Sequence, residues 1–175
     1  MVNLESRLAQ IKQMVDAGKY FSINKGRQYG KTTTIVALEE YLSEEYIVVS
    51  MDFQFISHDD YQSAGIFVKA FSRELWQIKE CRKYMSEEIQ HDIKSMKKIG
   101  NENKYSLSDL FSVLSDWCAE TEKPVVLMID EVDQASDNQI FIDFLSQLRG
   151  YYLNRNKKSM FQSVHIMEYL MNLEI

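Results

Sequence analysis

The sequence predicts an α/β fold built on a mainly parallel sheet, and three observations carry that expectation. β-type runs at 19–24, 46–52, 124–131 and 160–166 alternate with segments of helical apolar spacing. The connections between them are long enough for the crossover that joins parallel strands. Pro124-Val125-Val126-Leu127-Met128-Ile129 is apolar without alternation, the pattern of a strand covered by helices on both faces. The 175 residues suit one domain, and 45% hydrophobic residues are enough for a proper core. One proline and six glycines leave little room for linkers, and no internal repeat is present.

Along the chain, Leu4, Leu8, Ile11 and Met14 repeat at helical spacing over about 3–18, with Asn3 as the expected cap. The first strand, Lys19 to Asn24, leads through a glycine-containing loop into a helix from Thr32 to Leu42, with Ile35, Val36, Leu38 and Leu42 inward. Tyr46 to Asp52 reads as a second buried strand. Ser57 with Asp60 resembles a capping box, followed by a helix bearing Ala64, Phe67, Phe71, Leu75 and Ile78. Met85 to Lys98 is a more charged helix, and 100–103 is the clearest loop. Ser106 or Ser108 opens a strong helix with Leu107, Leu110, Phe111, Leu114, Trp117 and Cys118 on one face. After the 124–131 strand, Asp137 is the expected cap of a helix with Phe141, Phe144, Leu145 and Leu148 inward, and Met160 to Ile166 is the fourth strand.

Chemistry concentrates at two places. Lys25-Gly26-Arg27-Gln28-Tyr29-Gly30-Lys31-Thr32 lies between a strand and a helix, where backbone N–H groups and a helix N-terminus can cradle phosphates. Lys31 is placed to meet β/γ-phosphates and the Thr32 hydroxyl to ligate Mg²⁺. The first-glycine position of such a loop holds Lys25, and Gly26 follows one residue late; Gly26 is the candidate to supply the opening turn. The second place is Asp130-Glu131, ending the apolar strand. Strand carboxyl ends are where open α/β sheets bind ligands. Asp130 is expected to hold Mg²⁺ and Glu131 to orient a water.

Other residues carry structural expectations. Cys81 and Cys118 lack metal-ligand spacing, and Cys118 falls on an apolar stripe. His58, His91 and His165 are isolated. A net charge of −6 does not indicate nucleic acid as a partner, and the basic run from Lys94 to Lys104 reads as a solvated helix face. The first residues, Met-Val-Asn-Leu-Glu-Ser-Arg, lack a signal-peptide core, and no apolar run approaches the ~20 residues of a membrane span. A cytoplasmic protein with reduced thiols and no membrane partner is the expectation.

Gly26-Arg27-Gln28-Tyr29-Gly30-Lys31-Thr32-Thr33 resembles the Gly-x-Arg-Gln-x-Gly-Lys-Thr form of the Walker A motif in AAA-like P-loop ATPases. Leu127-Met128-Ile129-Asp130-Glu131-Val132-Asp133 resembles their Walker B strand. The resemblance covers about residues 3 to 166. It implies a P-loop NTPase three-layer α/β/α sandwich, incomplete at its C-terminal end, in one domain over 1–175. The phosphate-loop unit would span 19–52, a helical insertion 57–105, and the Walker B and sensor strands 106–166. The sensor strand, Phe161 to Ile166, would insert between the Walker A and Walker B strands, with His165 near the sensor position, where a strand-end histidine without a catalytic role is the favoured reading. Family members usually continue into a fifth strand, a helical lid and often an arginine finger. Here 167–175 reads as a short amphipathic helix, and a truncated copy with an exposed edge strand is the expectation.

The resemblance also implies ATP and Mg²⁺ as cofactors, Lys31 and Glu131 as catalytic residues, Thr32 and Asp130 at the metal, and residues 26–33, Thr33 included, around the nucleotide. A homo-oligomer, or a C-terminal domain as in relatives, is a possible partner; Arg149 and Arg155, the late arginines, read as surface charge. An ATPase is the leading reading. A nucleotide-binding module with little hydrolysis is the alternative. A P-loop kinase is disfavoured because adjacent Asp130-Glu131 suits hydrolysis, and a non-catalytic interaction domain would require both motifs to be relics.

Overall fold

The structure, a computed structural model, describes residues 4–23, 31–130, 135, 137–154 and 164–168. In chain order its elements are α1 (Leu4–Asp16), β1 (Phe21–Ser22), α2 (Lys31–Ser43), β2 (Ile47–Asp52), α3 (Ala64–Gln77), α4 (Lys79–Arg82), α5 (Glu87–Met96), α6 (Leu107–Glu120), β3 (Val125–Asp130), α7 (Gln139–Asn154) and β4 (Val164–Glu168). Two 3₁₀ turns, Phe53–Phe55 and His58–Tyr61, connect β2 to α3.

The described strands form one parallel sheet in the order β1-β4-β3-β2. The alternation along β3 explains the layers. Val125, Leu127 and Ile129 face a core that includes Phe67 and Phe71 of α3, Phe111 and Trp117 of α6, and Phe141 and Phe144 of α7. Val126 and Met128 face a second core, with Leu8, Ile11 and Val15 of α1 and Ile35, Leu38 and Leu42 of α2. Helices therefore cover both faces, which is why β3 carries no alternation.

Several expectations shift by a residue or a turn. In α1 the inward residue is Val15; Met14 is half-buried and Leu4 exposed. In α2 Val36 is exposed, and the buried neighbour of Ile35 is Thr34. The Ser57–Asp60 box closes the 3₁₀ turn, with the Ser57 N–H and Oγ both donating to Asp60 Oδ2 at 3.0 Å. The cap of α3 is Ser63, whose Oγ accepts from the Ile66 N–H at 3.2 Å. Ser106, not Ser108, caps α6, and its Oγ accepts from the Asp109 N–H at 3.2 Å. Asn138 takes the role expected of Asp137, its Oδ1 accepting from the Ile140 N–H at 2.9 Å. β4 begins at Val164, level with Val125, and runs on to Glu168. Met167 and Glu168 thus belong to a strand and not to a terminal helix; Asn3 and 169–175 lie outside the described residues.

Both thiols serve packing. The Cys81 S–H donates to the Val48 carbonyl at 3.3 Å and ties α4 to β2, while Cys118 lies within the larger core. Burial pushes both thiols up to about 12. Because they titrate higher folded than unfolded, their contribution is complete below the ordinary thiol value of 9.0 and is lost as pH rises towards the folded value. The unfolding free energy from urea titrations in reducing buffer should fall on going from about pH 8 to about pH 10, by about 1 kcal/mol per thiol. Iodoacetamide should label neither thiol in the native chain at about pH 8 and both after unfolding. Fast native-state labelling would contradict the burial.

Candidate functional site

All four described strands run the same way, so their carboxyl ends share one edge of the sheet. The register fixes what meets there. Ser22, Glu168, Ile129 and Met51 are level across β1, β4, β3 and β2. One residue further, Asp130 of β3 pairs with Asp52 of β2. Neighbouring strands lie about 4.8 Å apart, so two carboxylates end adjacent strands. Both residues are half-buried. Asp52 Oδ1 accepts from the Gln54 N–H at 2.9 Å, which closes the 3₁₀ turn and fixes the tip of β2. Behind Asp52, Phe53 is buried in the aromatic core.

β1 delivers the chain to the same edge at Ser22, and α2 begins at Lys31 and returns it to the start of β2. The first turn of α2 therefore holds Lys31 and Thr32, where the positive end of the helix dipole favours anions. Thr33 is exposed on α2, at a shallow depression shared with Val36, Ala37 and Glu40; Thr34 is buried. Gly26, Arg27, Gln28, Tyr29 and Gly30 lie outside the described residues, as do Lys25, Glu131, Asp133 and Arg155. Of the predicted site residues, Thr33 and Asp130 have described side chains, Thr33 exposed and Asp130 half-buried.

His165 stands elsewhere than expected. It pairs with Val126, four register positions before Asp130. At about 3.3 Å per residue that is roughly 13 Å from the carboxyl edge, so it does not occupy the sensor position. Glu168 is the β4 residue level with Ile129. Arg149 is exposed on α7. An open cleft of about 420 Å³ lies along the amino-terminal half of β2, lined in part by Glu39, Glu40, Glu80, Tyr46 and Tyr84. Its three carboxylates repel a polyphosphate, so the cleft is a poor nucleotide site.

Asp52 is the residue that reading motifs missed. Its signal was an acid ending an apolar strand, the same signal as Asp130, without a flanking motif to single it out. No three or more His, Cys, Asp or Glu among the described residues form a metal-holding group. No described helix is long and apolar enough to cross a membrane.

The family model of the AAA-like domain matches residues 3–169. The chain belongs to the AAA-like domain family. No curated protein and no solved structure matches it. For an AAA-like domain the strand order is informative. β4 lies between β1 and β3, the additional-strand arrangement that the resemblance implied. The match extends to Tyr169 and so takes in β4. Membership in this family suggests nucleotide binding.

Proposed function

We propose that this AAA-like domain binds Mg·ATP at the carboxyl edge of its sheet and hydrolyses it. The observation that carries the reading is the register pair Asp52–Asp130, at the strand tips of the edge from which β1 leads towards α2. Mg²⁺ takes oxygen ligands and is commonly held by one or two carboxylates together with substrate phosphates, and this donor set fits it. Asp130 and the Thr32 hydroxyl hold the metal, with Asp52 the neighbouring acid. When bound, the ion offsets charge on the phosphates.

The chain's own residues do the rest. Backbone N–H groups of 26–30 cradle the phosphates, joined by the first turn of α2. Lys31 places its ammonium on the β/γ-phosphates, and Glu131 orients and polarises the attacking water. Arg27, Gln28, Tyr29 and Thr33 surround the nucleotide. Such catalysis is positioning and charge stabilisation.

Equilibrium binding of Mg·ATP to the purified chain tests the site. Lys31→Ala should weaken binding at least tenfold, roughly 1.4 kcal/mol or more. Glu131→Gln should keep the affinity and lose turnover. Binding without turnover in the wild-type chain would favour the nucleotide-binding module. A folded wild-type chain that binds no nucleotide would overturn the proposal.

A further inference from the structure

The Trp76 ring of α3 is surrounded by cations from two other elements. Arg82 Cζ, at the end of α4, lies 4.7 Å from its centroid; Lys94 Nζ on α5 and Lys97 Nζ at the C-cap of α5 lie at 5.0 and 5.5 Å. Among the described residues, no carboxylate lies within 4.0 Å of these three cations, whereas Lys69 and Lys83 each have one and Lys12 and Arg73 each have two. Lys98, next in the chain after Lys97, is exposed. The net charge of −6 makes a concentration of unpaired cations at one ring the more telling. Cation–π attraction holds each by only ~0.5–1 kcal/mol at an exposed site, and the three repel one another.

We propose that this insertion binds the phosphate backbone of single-stranded nucleic acid, with Trp76 at its centre. Three cations within 5.5 Å of one ring centroid carry more positive charge than one phosphodiester neutralises, which suits successive phosphates along a chain. The half-buried indole supplies an aromatic surface on which bases stack once phosphates draw the cations away. A helix C-terminus accounts for basic residues late in one helix, but not for the meeting of Arg82 from α4 with Lys94 and Lys97 over one ring. The site is local, and the acidic remainder of the chain keeps its affinity modest and strongly salt-dependent.

The test uses the full chain and a fluorescein-labelled oligothymidylate of about 15 nucleotides, followed by anisotropy across a salt series. The wild type should bind at low salt. The triple variant Arg82→Gln/Lys94→Gln/Lys97→Gln should bind at least about tenfold more weakly, its log–log salt slope shallower by about 2. Removing three charges elsewhere, by Arg7→Gln/Lys19→Gln/Arg149→Gln, should cost less than about threefold. Trp76 fluorescence should change on binding against the silent background of Trp117, which is 2% exposed; the change should vanish in Trp76→Phe. Absence of binding at low salt, an equal loss in the control variant, or displacement of the oligonucleotide by excess ATP would overturn the proposal. So would binding to phosphatidylserine vesicles without binding to the oligonucleotide.

Discussion

Phe144→Ala should destabilise the domain by about 3–5 kcal/mol and lower its melting temperature by roughly 10 °C. The side chain is fully buried. Its ring centroid lies 5.2 Å from Phe67, 5.3 Å from Phe71, 5.5 Å from Phe111, 6.3 Å from Phe53 and 6.4 Å from Phe141. Phe144 thus joins α7 to α3, to α6 and to the turn behind β2. Tilted and offset rings add to their area burial about 0.5–1.5 kcal/mol per pair, and their removal leaves a void that five aromatic neighbours cannot fill without leaving their rotamers. Phe53 is one of them, and it follows Asp52. Loss of packing here should also loosen the tip of β2. Phe144→Leu, which fills more of the space, should cost clearly less than Phe144→Ala in urea unfolding. Equal, small losses for both variants would mean that the aromatic cluster does not hold the helical layer.

Much of the fold was legible because it rests on periodicity. The unbroken apolar run of β3 announced two covered faces, and each face has its core. The stripe from Leu107 to Cys118 reads directly as the buried face of α6. Errors arose where two adjacent residues both satisfied a local rule. Met14 and Val15 lie three and four residues after Ile11, and packing against α2 and β3 selects Val15. Asp137 and Asn138 are both good caps, and the start of α7 decides for Asn138. Thr34 was invisible to hydrophobic counting, because a buried hydroxyl does not add to an apolar stripe, while exposed Val36 does.

The candidate site was legible only in its covalently local part. Asp130 belongs to a contiguous motif readable from a few neighbouring residues, and the glycine loop lies outside the described residues. Asp52 becomes meaningful only through register, since it is 78 positions from the residue it faces. The His165 expectation failed for the same reason. The strand was identified, but its alignment against β3 was not, and one residue of register changes what stands at the edge. The cations around Trp76 come from two elements, so the run Lys94 to Lys104 alone read as a solvated face.

The same substitution at two helical glycines should act with opposite signs. Gly65 lies in the first turn of α3, where an added Cβ would stand 1.5 Å from the Glu102 carbonyl oxygen, 2.7 Å from its carbon and 3.2 Å from the Tyr105 oxygen. All three atoms are backbone, so no rotamer change relieves the overlap. The loop cannot easily retreat. The Glu102 carboxylate accepts from Lys69 Nζ and from the Gly100 N–H, each at 2.8 Å; Asn101 Nδ2 donates to the Ser95 carbonyl at 2.8 Å; and Gly100 sits at φ 94°. Helix propensity alone would make alanine better than glycine by about 1 kcal/mol. Close approach reverses that, and Gly65→Ala should destabilise by about 1–3 kcal/mol or more. Gly150, inside α7, has open space around its would-be Cβ, and there Gly→Ala should stabilise by about 0.5–1 kcal/mol. Urea unfolding of the two variants side by side reads the difference. If Gly65→Ala proved neutral or stabilising while Gly150→Ala stabilised, the loop at Glu102 would not press on α3, and the packing of residues 100–105 against that helix would have to be redrawn.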